Sequence, residues 1–470
     1  MPQKTRLLIP VQALQKLKHL CRDNLSQSAS DCYAYGYDNS RKHETPDAVI
    51  FAENPTLVQA VVAVCYEYSI PLIARGRGTG TTGGSVPVHG GIVLSFERMN
   101  RICELDPNNR LMIVEPGVTN AEVQTAAAQL GFFWPPDPTS ADYCTVGGNL
   151  GFNSAGPRAV KYGTTRENTL GLRAVTGTGA EIRTGVHTTK GVVGYDFTRL
   201  LIGSEGTLAV ITEAILKLTP LPESKRTLQL YYLDIEQATQ AIAAIMRQPV
   251  IPCALEFMDS ASLQLVRESS ELPIPPEARA LLLVEVDGIE ACLDLSVAHL
   301  LRAATNAGLV ASKTATNATQ AQELWAARKA LSPALRRIAP KKINEDVVVP
   351  VAQIPELISR LTVLSARYGI PIVNFGHAGN GNIHVNLLFD PENEQQRLNA
   401  PLCLNEVFDT VIALRGTLSG EHGVGMEKQN FIGKEIDPVT LDLMRRIKTQ
   451  FDPRGILNPG KIFPELSTST

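Results

Sequence analysis

No stretch of this 470-residue chain approaches the roughly 20 consecutive apolar residues that a membrane-spanning helix needs. Charge of one sign is lacking too. Lys and Arg number 44 against 47 Asp and Glu, a net −3, so there is no electrostatic footprint for nucleic acid or an anionic membrane. None of the eight cysteines (Cys21, Cys32, Cys65, Cys103, Cys144, Cys253, Cys292, Cys403) belongs to a C-x-x-C pair. Their scatter argues against a zinc ribbon, an iron–sulfur cluster and a disulfide framework, and fits a reducing compartment in which each thiol is a small core residue. The opening MPQKTRLLIPVQALQKLKHLC is interrupted by Lys16, Lys18 and His19 and reads as an amphipathic surface helix after Pro10, not as a signal peptide; a mitochondrial transit peptide is the other reading. What is present is ordinary globular material, 44% apolar and 19% charged, in a length that calls for two or three cores.

The pattern along the chain is α+β. Asn54-Pro55-Thr56 opens a helix through LVQAVVAVCYEYS, IPLIARG follows as a buried strand, and RLMIVEPGV is another. Thr119 and Glu122 form a capping box before VQTAAAQL, with Gly131 closing that helix. Pro220 and Pro222 in LTPLPESKRT mark a boundary. Beyond it lies a weak repeat: RTLQLYYLD with IEQATQAIAAIM resembles RALLLVEVDG with IEACLDLSVAHLLRAATNAG. Two such units with the extra strands ALEFMD and VNLLFD suggest a ferredoxin-like antiparallel sheet. The tail FDPRGILNPGKIFP carries Phe451, Ile456, Leu457, Ile462 and Phe463, more apolar side chains than a disordered tail needs, so it is expected to dock back on the body. The expected divisions are a helical segment over 1–45, a first domain over 46–220, a second over 221–424 and a returning segment over 425–470.

Three segments are rich in glycine. Arg75-Gly-Arg-Gly-Thr-Gly-Thr-Thr-Gly-Gly-Ser85 follows a strand, and its backbone N–H groups can converge on phosphate oxygens because no Cβ blocks the approach. It is not a Walker A loop and only a partial dinucleotide fingerprint, and alone it could be a structural turn. The stretch from Thr145 to Gly156 and the turn from Gly203 to Thr212 raise the count beyond what folding requires, and a large cofactor with a pyrophosphate would explain all three together.

Three of the eight histidines, His377, His384 and His422, fall close together in the C-terminal third. His384 and Asn386 alternate with Ile383 and Val385, as on a half-buried strand. Imidazoles with a carboxylate suit a divalent ion such as Zn or Mn, and His377, His384 and Glu421 could hold one, leaving His422 as a general base. The competing reading is a set of hydrogen-bonded turn histidines.

Eight markers in this order, PLIARGRGTGTTGG, PPDPTS, TVGGNLGFNSAG, KYGTTRENTLGL, IGSEGTLAVITEAILKL, GHAGNGNIHVN, GEHGVG and FDPRGILNPGKIFP, resemble the FAD-linked oxidases of the vanillyl-alcohol oxidase and p-cresol methylhydroxylase type. Within them the likeness is to the D-lactate dehydrogenase, glycolate oxidase flavoprotein subunit and D-2-hydroxyglutarate dehydrogenase branch, over residues 45 to 464. The resemblance implies a two-subdomain FAD-binding domain of the p-cresol methylhydroxylase type and a ferredoxin-like antiparallel-sheet substrate cap. It places the FAD pyrophosphate on Arg75, Gly76, Arg77, Gly78, Thr79 and Gly80. Further cofactor contacts are implied at Pro136, Asp137, Ser140, Gly147, Gly148, Asn153, Gly203, Glu205, Gly206, Ile211 and Asn458. The glycine loop has no histidine or cysteine to bond the flavin, and His89 lies beyond it, so FAD is expected to be non-covalent.

The same resemblance implies a metal on His377, His384 and Glu421, a proton acceptor in His422, a substrate-contacting Asn386, and Arg328 as the clamp for the substrate carboxylate. A second substrate contact is implied for a lysine ahead of Asp346, with Lys341 and Lys342 as candidates. The implied reaction is oxidation of a small D-2-hydroxy acid (D-lactate, D-2-hydroxyglutarate or glycolate) to the 2-keto acid by hydride transfer to flavin N5. With no cluster-forming cysteines, the electrons must leave to an external acceptor: a quinone, a cytochrome, an electron-transferring flavoprotein or a separate iron–sulfur subunit. The rivals are a flavin-dependent oxidase of another alcohol, against which the histidine set argues, and a non-catalytic flavoprotein subunit of a larger redox complex. The expected setting is cytoplasmic, with a loose membrane association and a homodimer both admitted, or the mitochondrial matrix in a eukaryote.

Overall fold

The computed structural model describes residues 9–269, 272–315 and 317–464. They form two compact units. The first comprises the chain up to Gly156, Gly163–Leu221 and everything from Glu421; the second comprises Pro157–Tyr162 and Pro222–Gly420. The C-terminal return therefore begins at Glu421, four residues ahead of the break expected at 425. Residues 1–8 of the expected N-terminal segment lie outside the described residues.

The first unit holds two sheets. In one, Ala48–Phe51, Ile92–Ser95 and Leu72–Arg75 run parallel, with Leu25–Ser26 added antiparallel at one edge. Parallel strands need crossovers, and the helix Pro55–Tyr68 supplies one. Its start is set by Asn54, whose Oδ1 accepts the Leu57 N–H at 2.9 Å, and by Pro55 at the first helical position. Val58, Val61, Val62 and Cys65 recur at helical spacing and are all buried in one core. Burying each such valine stabilises the unit by about 1.5–3 kcal/mol. The N-terminal helix Val11–Cys21 lays Ala13, Leu17 and Cys21 into the same core.

The other sheet is antiparallel, in the order Ile102–Asp106, Leu111–Val114, Ala209–Lys217, Thr169–Thr176, Glu181–Gly185. Beside it the helix Asn120–Ala128 starts at a reciprocal capping box of Thr119 and Glu122. That helix stops at Ala128; a tight turn then leads to Gly131 at φ +80°. The glycine-rich segment after Thr145 is a short helix, Val146–Phe152, rather than open loop. The C-terminal segment docks by backbone pairing: Leu72 N–H donates to Ile456 O at 2.8 Å, and Asn458 N–H to Leu72 O at 2.9 Å. Ile456 and Leu457 join the core under Leu72.

The second unit is built on a seven-stranded antiparallel sheet, in the order Leu309–Ala315, Ser224–Tyr232, Ala280–Gly288, Ala254–Met258, Ile372–His377, Asn382–Phe389, Lys341–Val348. The first four, numbered by chain order, run 4-1-3-2, the ferredoxin-like arrangement that the repeat suggested. Helices Ile235–Arg247 and Glu290–Ala304 cover one face, where Tyr232 OH donates to Ala304 O at 2.8 Å. Ser260–Ser269 and Ala318–Ile338 cover the other, where Tyr231, Met258, Leu263, Leu331 and Phe375 pack together. The strand carrying His384 is buried on both faces, not half-exposed, because strands flank it on each side and helices cover it. Six of the eight cysteines are buried, whereas Cys103 and Cys292 are exposed, and none is bridged. Among the described residues, no helix is long and apolar enough to cross a membrane.

Candidate functional site

In the first unit the three glycine-rich segments face one cleft of about 370 Å³. Arg75, Gly76, Arg77, Gly78, Thr79, Gly80, Ser140, Gly147, Gly148, Glu205, Gly206 and Ile211 line it. The remaining expected contacts are not on its wall. Pro136 accepts the Asn120 amide through its carbonyl, Asn153 accepts from Thr164 Oγ1 and Arg166 N–H, and Asn458 Nδ2 donates to Gly84 O and Glu205 O. Asp137 lies against Gly156, where a Cβ would come within 2.4 Å of its Oδ1, and Gly203 sits at φ +85° in the turn. These residues brace the cleft.

The wall admits little bulk. A Cβ on Gly76 would fall 2.3 Å from Thr145 Oγ1, and one on Gly84 would fall 2.4 Å from the Phe152 ring. Asn149, 1% exposed, lies on the wall, and neither of its side-chain amide atoms has a hydrogen-bond partner among the described residues. A buried amide left unsatisfied costs about 1–3 kcal/mol, and a polar ligand in the cleft would recover it. Backbone-lined space with an orphaned donor and acceptor fits an extended polar cofactor such as FAD.

The loop is organised from below by Arg75. Its guanidinium donates to Tyr37 O at 2.6 Å and Ser85 Oγ at 3.2 Å, and Gly78 at φ +66° wraps around it. Asp38 and Asn39 also line the cleft, with Asn39 N–H donating to Gly78 O. Nothing in their local sequence signals this; only the fold of the N-terminal segment brings them there.

Glu205 is 6% exposed, and its carboxyl accepts the N–H groups of Val424 at 2.6 Å and Gly425 at 2.8 Å. Burial pushes its pKa up to about 7, against the opposing pull of those N–H groups, Lys461 and Lys428. Glu421 and His422 line the same cleft. The His422 carbonyl accepts from Thr82 Oγ1 at 3.3 Å, and Met426 N–H donates to Thr82 O at 2.8 Å. The segment bearing His422 is thus held by the far end of the glycine loop and by Glu205.

In the second unit the strand registers gather the other expected residues. His384 lies opposite both Phe375 and Asp346, His377 opposite Glu256, and Asn386 opposite Asn344. Cross-strand partners share a face, so these side chains line the face under the helix Ala318–Ile338, which carries Arg328. The rings of His377 and His384 stand 5.2 Å apart, nearly perpendicular. Arg328 lies over the Phe375 ring at 4.5 Å and donates from Nε to Glu256 Oε2 at 2.9 Å. His377 Nδ1 meets the other Glu256 oxygen at 2.5 Å. Burial alone would raise the Glu256 pKa; the adjoining His377 and Arg328 outweigh it and hold the group at about 2. Asn386, 0% exposed, accepts from Asn344 Nδ2 and donates to Val373 O and His384 O. What it visibly does is lock the strand that bears His384.

The same register separates the two lysines. Lys342 is exposed and opposite Leu388, on the face of His384 and Asn386; Lys341 lies on the other face, near the Phe389 ring. Gly420 N–H donates to both Asp346 O and Asp346 Oδ2, which ties the chain opposite His384 one residue before Glu421. Sequence reading missed Glu256. Its signal was available: a lone acid inside the otherwise apolar strand ALEFM.

Residues 221–462 match the family of FAD linked oxidases, C-terminal domain, and residues 46–185 match the FAD binding domain. The glycolate oxidase subunit GlcD of Bacillus subtilis (strain 168) is 38% identical over 442 residues, covering 94% of each chain. A D-lactate dehydrogenase of Archaeoglobus fulgidus is 35% identical, over 92% of this chain and 96% of its own. Among solved structures, p-cresol methylhydroxylase with substrate bound superposes with a TM-score of 0.77 at 17% identity, covering 98% of both chains, a likeness of fold.

Proposed function

The chain belongs to the FAD-linked oxidases, and from that premise we propose that this oxidoreductase is a dehydrogenase that converts a small D-2-hydroxy acid to its 2-keto acid. The observation that carries the reading is one side of the second unit's sheet, where a guanidinium, two buried imidazoles and, at the exposed end of its edge strand, a lysine come together. Relatives named glycolate oxidase subunit and D-lactate dehydrogenase support the substrate class.

Arg328 is the clamp for the carboxylate. Glu256 occupies its Nε and Phe375 its face, so the terminal N–H pair is the part left to meet an anion. Lys342, on the same face as Asn386, is the second cation toward the acid. His377, His384 and Glu421 would hold a divalent ion, Zn or Mn, which would supply a Lewis acid that lowers the hydroxyl pKa. His422 takes the hydroxyl proton. Bound FAD supplies the two-electron acceptor that the side chains lack.

The flavin is held without a covalent bond. Of the cleft residues able to form one, Cys144 is buried, which pushes its thiol pKa up and keeps it protonated, and His422 serves as the base. Electrons then pass to an external acceptor, a quinone, cytochrome, electron-transferring flavoprotein or iron–sulfur subunit.

The test is anaerobic bleaching of the visible flavin band with glycolate and both enantiomers of lactate and 2-hydroxyglutarate, with and without chelator. One D-acid or glycolate should bleach the band, chelator should abolish the effect, and acid precipitation should release the flavin into the supernatant. Metal-loaded holoprotein that none of these acids bleaches would contradict the proposal.

A further inference from the structure

Two functions of the second unit converge on one side chain that neither of them names. Glu256 is 1% exposed and sits in the centre of the sheet. One of its oxygens takes His377 Nδ1, and the other takes Arg328 Nε–H at 2.9 Å. No other hydrogen bond of the Arg328 guanidinium is found among the described residues.

We propose that Glu256 is the positioning residue for both halves of the substrate site, fixing His377 in the Nδ1–H tautomer, which puts the ring's lone pair on Nε2 as a metal ligand requires, and aiming the Arg328 guanidinium at the substrate carboxylate. This rests on the metal and clamp reading given above.

Acceptor count decides which side chain can stand at position 256. A carboxylate accepts on both oxygens, whereas an amide accepts on one and donates on the other. Arg328 Nε–H can only donate. His377 Nδ1–H donates when Nε2 carries the lone pair, which is the tautomer a metal needs. Both neighbours therefore require an acceptor, and only an ionised acid at position 256 satisfies both. In Glu256→Gln one neighbour must face the NH2 group. The charged guanidinium makes the stronger bond and keeps the oxygen, so His377 Nδ1 becomes the acceptor, its proton moves to Nε2, and the metal-binding lone pair is lost.

The experiment titrates Zn²⁺ against a chromophoric chelator, using FAD-loaded protein and its E256Q variant. Histidine ¹⁵N shifts of the metal-free forms report the tautomer. E256Q should bind Zn²⁺ about 10–100-fold more weakly, the range for loss of an outer partner of a metal-ligating histidine. It should also move one imidazole from the Nδ1–H to the Nε2–H form, with flavin content and far-UV dichroism unchanged. A structural role alone would not shift the tautomer. If E256Q does not fold, the double variant E256M/R328M removes the stranded cation and every acceptor at position 256, so His377 Nδ1–H again loses its partner and the same two readouts apply. Unchanged Zn²⁺ affinity and tautomer in a variant, beside tight binding by the parent, overturns this inference alone. A parent that binds no Zn²⁺ overturns the metal reading and this inference with it.

Discussion

Glu205 is a carboxyl group sealed from water in the flavin unit, and its burial makes a pH signature. Its proton is held to about pH 7, against 4.5 for the same group in water. Between those values the folded chain binds more protons than the unfolded one, so this group's contribution to stability is whole below about 4.5 and is lost as pH rises through 7. Glu205→Gln, with no charge to lose, should flatten that part of the profile. Urea midpoints measured from pH 4.5 to 8 check this; a variant as pH-dependent as the parent would assign the slope to another group. His422 presents a different case: its carbonyl accepts from Thr82 Oγ1, a bond that His422→Ala keeps. That variant should lose about 10²–10⁴-fold in turnover, the usual worth of a general base, while retaining its flavin. Equal loss of turnover and flavin would make His422 structural. The register that puts Lys342 rather than Lys341 beside Asn386 was not legible in the sequence, since two adjacent lysines differ only in which face the strand assigns them.

At the scale of elements, local chemistry governs where helices start. Thr119 Oγ1 accepts the Glu122 N–H at 3.2 Å, while the Glu122 carboxylate accepts the Thr119 N–H at 2.7 Å. Thr119→Ala should cost about 1 kcal/mol, read as a shift in denaturant midpoint at unchanged m-value; a change below a few tenths would mean that packing of Val123 and Ala127, not the cap, sets this helix. Such signals lie within four residues of one another, which is why this capping box and the Asn54 cap could be read directly. Val146–Phe152 shows no helix signal in its sequence, because three of its seven residues are glycine, which lowers helix propensity; Thr145 caps it, and Val146 and Leu150 anchor it in the core.

For the whole molecule, chain order and spatial order diverge most at the C-terminus. Lys448 at the end of the last helix donates to Thr207 O and Leu457 O, and buried Asp452 accepts the N–H groups of Ile456 and Leu457. Ile456 and Leu457 fill the first unit's core, and Asn458 ties the glycine loop to the Glu205 turn. Losing two buried aliphatic side chains costs about 2–5 kcal/mol each, a large part of the roughly 5–15 kcal/mol that holds a domain folded. Truncation after Phe451 should therefore yield protein without flavin, measured by absorbance after purification. A truncated chain that purifies with full flavin content would show the tail to be dispensable.

The sequence by itself determined the kind of molecule: α+β units, glycine segments made for close approach to a cofactor, a tail too apolar to be free, and the residue types of the face proposed to bind the acid. These follow from periodicity, capping and side-chain volume, which act over a few residues. Tertiary structure alone decided which residues meet. Glu256 lies 121 residues from His377 and 72 from Arg328, yet touches both. Asp38 and Asn39 reach the cofactor cleft only because Leu25–Ser26 pairs with Ala48–Phe51 and Arg75 reaches Tyr37 O. Contacts of that range depend on strand order and register, and no local pattern of side chains encodes them.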